Sequence, residues 1–215
     1  MPRLPFTDRT QAGRLLAKQV AARIKDPQVL VAALPRGGVP VAHEIARVLR
    51  APLDVLMVRK LGVPGQEELA FGAIASGQEC FIDQALVESI QLSPRELERI
   101  VERQQRELER GERLFRGRRP PLQMQGRTVI LVDDGMATGS TMVVAIHAAR
   151  RKGAQTIVVA APVASVDARD LCRSESAACI CLATPVNFHS VGQWYQDFSQ
   201  VSDQEVRLLL SPATR

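Results

Sequence analysis

Short runs of unbroken apolar residues alternate along the chain with longer stretches whose apolar positions recur every three or four residues. The first kind reads as strands buried on both faces and the second as amphipathic helices. Thr7 or Asp8 can cap a helix over 9–25, with Leu15, Leu16, Val20, Ala21 and Ile24 on one side. Residues 29–34 predict a first strand, broken by Pro35-Arg36-Gly37-Gly38, and 39–50 a helix. A second strand is expected over 53–58. Residues 61–69 hold Gly62, Pro64 and Gly65 and read as an exposed loop. Residues 70–75 and 80–82 predict two short strands joined at Ser76-Gly77 as a hairpin.

Ser93-Pro94-Arg95-Glu96 is a capping box with proline at the first helical position. The helix it opens is expected to reach Phe115, on a narrow stripe of Leu97, Ile100, Val101, Leu108 and Phe115. Gln104 and Gly111 interrupt that stripe. Glu102–Arg106, Glu109–Arg113 and Glu112–Arg116 are favourable pairs four residues apart. This charged segment, 93–117, reads as a largely solvated insertion that lies across the domain or meets a partner helix; a homodimer is compatible with the second reading. Strands follow at 129–132, 156–163 and 178–182, and helices at 141–152 and 167–173. From residue 184 the character changes: Phe188, Trp194, Tyr195 and Phe198 are half of the aromatic residues in the chain. The order of elements predicts an α/β fold with a mostly parallel sheet.

Composition narrows the function classes. The 215 residues suit one domain with small additions. Lys and Arg exceed Asp and Glu only by 28 to 23, with both signs interspersed, so the balance fits an anionic small substrate or loose nucleic-acid contact and decides neither; the acids that offset the arginines of 93–117 weigh against a nucleic-acid role. Basic and aromatic residues are not interleaved as in an RNA-stacking sheet. Cys80, Cys172, Cys179 and Cys181 form no C-x-x-C pair, which argues against a zinc site. No apolar run approaches membrane-spanning or signal-peptide length, so a cytoplasmic location is the default expectation.

The string Val129-Ile130-Leu131-Val132-Asp133-Asp134-Gly135-Met136-Ala137-Thr138-Gly139-Ser140-Thr141-Met142 carries the most chemistry. A buried strand ends in two carboxylates and opens through a small, hydroxylated turn into a helix N-terminus. Backbone N–H groups and the helix dipole favour a phosphate there. The acids suit sugar hydroxyls or a hard cation such as Mg²⁺. Two further groups follow strand ends, where open α/β sheets bind ligands. Arg36-Gly37-Gly38 combines close-approaching backbone with a forked cation. Arg59-Lys60 adds two more positive charges.

The string resembles the motif of the type I phosphoribosyltransferases: aliphatics, two acids, three variable residues, then Thr-Gly-x-Thr. The likeness is greatest to the adenine-type members and covers about residues 29–163. It implies a doubly wound sheet, with 93–117 as the charged helical insertion and 184–215 as a small hood. It also implies a donor, 5-phosphoribosyl-1-pyrophosphate with Mg²⁺, whose ribose-5-phosphate passes to a nitrogen acceptor as pyrophosphate leaves. On that resemblance Ala137, Thr138, Gly139, Ser140 and Thr141 would bind the 5′-phosphate. Asp133 and Asp134 would hold the ribose hydroxyls, directly or through Mg²⁺ and water. Arg36, Gly37 and Gly38 would bind pyrophosphate, and Arg59 and Lys60 would neutralise it from a mobile closing loop. Glu67 and Glu68 in that loop read first as surface residues. Hypoxanthine/guanine-type members carry an Asp where this chain has Ala137, which argues against that subgroup and leaves no evident general base. The acceptor base is unidentified; Trp194, Tyr195 and Phe198 are candidates to stack it and Asp197 to hydrogen-bond it. The alternative is a non-catalytic sensor of the donor or of nucleotides. A phosphorylated receiver-like domain would be shorter, with its acids split between strand ends.

Overall fold

The computed structural model describes residues 4–77, 79–121 and 123–211, and of 66–69 the backbone alone. In chain order its elements are α1 (Arg9–Arg23), β1 (Leu30–Ala33), α2 (Gly38–Leu49), β2 (Leu53–Val55), β3 (Val58–Val63), β4 (Gln66–Ala75), β5 (Glu79–Ile82), α3 (Gln84–Ser89), α4 (Pro94–Arg116), β6 (Thr128–Val132), α5 (Ser140–Arg151), β7 (Thr156–Val163), α6 (Val166–Glu175), β8 (Ala178–Ala183) and α7 (Asp203–Leu210).

The unbroken apolar runs pair with one another because each must bury both faces. They form a five-stranded parallel sheet in the order β2-β1-β6-β7-β8. Alternate residues enter two cores. Val31, Ala33, Ile130, Val132, Val158 and Ile180 pack with α1 and α2 on one face. Leu30, Ala32, Val129, Leu131, Ile157 and Val159 pack with α5 and α6 on the other. The sheet is therefore doubly wound, as expected. Its winding reverses between β1 and β6, and a crevice opens at such a point beyond the strands' carboxyl ends. Ala33 pairs with Val132, so the loops after these two strands leave the sheet at the same height.

Two expectations change. Residues 61–69 are not an exposed loop. β3, β4 and β5 form a separate antiparallel sheet, with Leu61, Val63 and Phe71 buried and only Pro64-Gly65 at the turn. The Gly/Pro signal marks only the tip of a hairpin. The strand expected over 53–58 likewise divides. β2 stays in the parallel sheet, and the chain crosses at Leu56-Met57 to start β3. The Ser76 hydroxyl accepts the Met57 N–H at 2.8 Å and holds the crossing.

The charged insertion lies across the domain. Ile100, Leu108 and Phe115 of α4 are buried, and the helix packs on β2, β3, β4 and α7. The capping box forms as expected, and so do the three predicted ion pairs. Gly111 is explained by Met57, whose Cε would lie 2.6 Å from an added Cβ. Arg116 Nε also donates to both carboxylate oxygens of Asp54, at 2.9 and 3.2 Å, each side chain 10% exposed, which fastens the end of α4 to β2. The tail holds a helix that was not anticipated. Ser202 caps α7 through the Glu205 N–H, and Val206 and Leu210 are buried against α2 and α4. The Ser-x-x-Glu signal was present, but eight residues are too few to show a helical period.

Candidate functional site

The two loops that leave β1 and β6 touch. An added Cβ on Gly37 would lie 2.0 Å from Asp134 Oδ2. One on Gly38 would lie 2.6 Å from the Val132 carbonyl and 2.9 Å from Asp133 Cα. Only glycines let the turn after β1 sit this close to the paired acids. Above them, Gly139 adopts φ 78° at the N-cap of α5. Ala137, Thr138 and Ser140 are exposed, Gly139 is buried and Thr141 is half-buried. The Thr138 and Ser140 hydroxyls are 3.1 Å apart, and Ser165 Oγ donates to the Ala137 carbonyl at 2.7 Å.

Helix caps set this crevice apart. The helices α1, α3, α4, α6 and α7 each have an Asp or Ser side chain accepting an N–H of the first turn. The helices α2 and α5, which begin at the crevice, have no such side-chain cap. At α2 the Gly38 and Val39 N–H groups donate to the Leu34 and Arg36 carbonyls, both at 3.1 Å, and at α5 the Ser140 N–H reaches Thr138 Oγ1 at 3.4 Å, so what both ends offer an anion is first of all the positive end of the helix dipole.

Asp134 is not idle. Arg9 Nε donates to its Oδ2 at 2.7 Å, and the two side chains are 11% and 12% exposed. The Arg9 guanidinium lies 3.9 Å from the centre of the Phe198 ring and also donates to the Ser199 carbonyl at 2.8 Å. The Tyr195 hydroxyl donates to the Asp134 carbonyl at 2.6 Å. Burial raises the Asp134 carboxyl above the usual carboxylate range, while the hydrogen bond and charge of Arg9 pull it back. Burial, then the neighbouring Asp134 charge, hold Asp133 well above that range.

A test follows from Asp133. An acid whose pKa is higher in the folded than in the unfolded state gives full stability at acid pH and loses it as pH rises past the ordinary carboxylate range. Asparagine has nothing to ionise. The melting temperature of Asp133→Asn minus that of the parent is expected to become more positive from about pH 5 to about pH 8. Thermal unfolding across that range checks this, and a flat or falling difference contradicts it.

The remaining candidates divide into two groups. Arg36 and Arg59 line one cleft of about 540 Å³ with Asp203 and the α4 residues Glu107 and Arg110. Asp203 holds Arg36 at 3.3 Å. Arg59 and Lys60 lie on β3, a paired strand, and not at the start of an open loop. Lys60 is exposed. The side chains of Glu67 and Glu68 lie outside the described residues. In the tail, Tyr195 is buried, stacked on Phe198 at 5.2 Å and tilted against Phe6 at 5.6 Å. Trp194 is half-buried against Phe188 at 6.1 Å, and Asp197 is exposed with its carboxylate accepting the Ser199 N–H at 2.9 Å. Tyr195 and Phe198 thus reach the crevice through Asp134 and Arg9. Sequence reasoning missed Arg9 and Asp203. Arg9 lies 125 positions from its partner, and nothing local marks it.

Two carboxylates are what the crevice offers a cation. Among the described residues no cluster of three or more His, Cys, Asp or Glu is placed to hold a metal ion. No helix among the described residues is long and apolar enough to cross a membrane.

Similarity to known proteins agrees with this arrangement. A model of the phosphoribosyl transferase domain matches residues 7–183, a span that includes Arg9. A Mycobacterium tuberculosis protein, provisionally named a phosphoribosyl transferase, is 43% identical over 210 residues, covering 98% of this chain and 47% of that one. The chain spans about half the length of the curated relatives it matches. A crystal structure of a Thermus thermophilus protein superposes with a TM-score of 0.83 at 39% identity, over 96% of this chain and 98% of that chain. A hypothetical protein from Neisseria gonorrhoeae shares the fold, with a TM-score of 0.50 at 12% identity over 98% of each chain. Paired acids between two uncapped helix ends, on a doubly wound sheet matched by that domain over most of its length, place the chain in the phosphoribosyl transferase family.

Proposed function

We propose that the chain transfers ribose-5-phosphate from 5-phosphoribosyl-1-pyrophosphate to a nitrogen acceptor, with Mg²⁺ carried beside the donor and pyrophosphate released. The observation that carries this reading is the pair of helices without side-chain caps, α2 and α5, with Asp133 and Asp134 between them. Two anionic groups separated by a polyhydroxylated unit match that spacing of features. The α5 end, with Ala137 to Thr141, takes the 5′-phosphate. The α2 end, with Gly37-Gly38 and Arg36, takes the diphosphate, and Arg59 neutralises it as it departs. Lys60, next along β3, adds to the positive field. Asp133 and Asp134 meet the ribose hydroxyls and stabilise positive charge that develops on the sugar ring. Mg²⁺, when bound, supplies charge neutralisation on the diphosphate.

The acceptor side is the tail side. Displacement at the sugar carbon brings the nucleophile in opposite the leaving group. Phe198, partly exposed beside Arg9, is the ring best placed for a base, whereas Tyr195 is committed to packing. A second reading, a non-catalytic sensor of the donor or of nucleotides, draws on Arg9, which already engages the carboxylate that would meet the sugar.

Calorimetric titration of the donor with and without Mg²⁺, followed by pyrophosphate release against a panel of nucleobases and small amines, tests the proposal. Saturable donor binding and release with at least one acceptor are expected. Absence of donor binding rejects both readings. Binding without release from any acceptor rejects the transferase and leaves the sensor.

A further inference from the structure

Gln104 interrupts the apolar stripe of α4, and unlike Gly111 it is not explained by packing. It lines a cleft of about 510 Å³ between α4 and the β3–β4 hairpin, together with Arg59, Lys60, Arg103 and the hairpin residues Gly62 to Gly65. Arg59, Lys60 and Arg103 bring three positive charges to one space, and among the described residues no acidic side chain lines it. The acids on the adjoining turns of α4 are taken. Glu102 pairs with Arg106 at 3.5 Å and Glu107 with Arg110 at 3.9 Å, which leaves Arg103 without an acidic partner among the described residues. Arg59 Nε is buried and has no hydrogen-bond partner among the described residues. At Gly62 the β3–β4 pairing is irregular, and such a bulge takes backbone polar groups off the ladder.

Cations without partners, a neutral amide donor and unladdered backbone are the parts of an anion site. The cleft has the size of a small-molecule site, and the mixed charges along the rest of α4 do not continue it as a basic track. It also meets the cleft of Arg36 at a shared residue, Arg59. An acceptor must approach the sugar from the face away from the diphosphate, so a cleft joined to the diphosphate side is not the acceptor pocket. We propose that this cleft is a second anion site, which binds the polyphosphate group of a small molecule through Arg59, Lys60, Arg103 and Gln104. Its competition with the donor for Arg59 rests on the function proposed above; the site itself does not.

Calorimetric titration of the full chain with inorganic tripolyphosphate, in phosphate-free buffer, tests the site. Saturable binding is expected. Arg103→Glu is expected to weaken it by about tenfold or more, the loss of one charge-assisted hydrogen bond together with a reversed charge. In Arg36→Ala, which weakens any polyanion held at the diphosphate end of the crevice, the binding that remains is expected to fall by the same factor on adding Arg103→Glu. Arg103 is exposed, and circular dichroism verifies folding; Lys60→Gln, also exposed, carries the same expectation in a second variant. No binding at about 1 mM, a constant that corresponds to only weak association, overturns the proposal. So does binding that Arg36→Ala abolishes and Arg103→Glu leaves unchanged, which places the polyanion in the diphosphate half of the crevice alone. A donor titration on the same protein reports separately on the transferase reading.

Discussion

Arg9→Ala is expected to lower the unfolding free energy by about 3 kcal/mol at neutral pH, the low end of the cost of stranding one member of a buried ion pair. The pair is deep enough for that estimate to hold, with both side chains about one-tenth exposed. An exposed pair would cost under about 1 kcal/mol. The variant also loses the guanidinium stacked on Phe198 and the bond to the Ser199 carbonyl, which join the start of α1 to the tail. The deficit has a pH signature. A lone, buried Asp134 keeps its proton to higher pH when folded than when unfolded, so the folded variant loses stability as pH rises through that interval. The gap to the parent is therefore expected to shrink toward acid pH. Adding Asp134→Asn removes the stranded charge and is expected to recover part of the loss. Urea unfolding midpoints for the parent, the single and the double variant decide the matter. A deficit below about 1 kcal/mol, independent of pH, would show that the pair behaves as a surface contact.

Gly38→Ala is the second large effect, and it separates backbone contact from side-chain contact. The added methyl would meet the Val132 carbonyl and Asp133 Cα, both main-chain atoms of the sheet and its acidic loop. Neither can rotate away, so the two loops must part. Overpacking of this kind costs about 1–3 kcal/mol, and the displaced diphosphate turn is expected to lose donor affinity by about tenfold or more, as expected when a preorganised contact shifts by a fraction of an ångström. Gly111→Ala is the contrast. There the methyl meets the far end of Met57, a flexible side chain. Alanine also favours the helix by roughly 1 kcal/mol over glycine. That variant is expected to be near-neutral in stability. Thermal melts and a donor titration on both proteins check the pair; equal effects at the two positions would contradict the distinction.

Legibility followed the range of the interaction. The strand at β7 is legible to the residue, because a row of seven apolar residues, 157–163, that need burial on both faces leaves little choice of state. The capping box at Ser93 and the acids after β6 were equally plain, being fixed by neighbours three or four positions away. The hairpin of β3 and β4 was not. Its strands are stabilised by pairing with each other and by α4, and the local Gly/Pro signal outweighed the alternation of Leu61 and Val63. The helix α7 was overlooked for a related reason, since its two buried residues find their partners on α2 and α4.

The candidate site divides the same way. The sequence by itself determined the chemistry on offer: two carboxylates at the end of a buried strand, glycines where backbone must come close, hydroxyls before a helix, and a cation, Arg36, after the first strand. It determined the parallel sheet as well, through unbroken apolar runs that only a two-sided burial satisfies. Tertiary structure alone decided how those groups meet. The shared height of β1 and β6 sets Gly37 against Asp134. The return of the tail over the chain's beginning sets Arg9 on Asp134 and Tyr195 beneath it. The crossing of α4 turns Arg59 toward two clefts at once. Spacing along a chain encodes periods of two and 3.6 residues. A contact across 125 residues has no period, and it exists only once the sheet has ordered both of its ends.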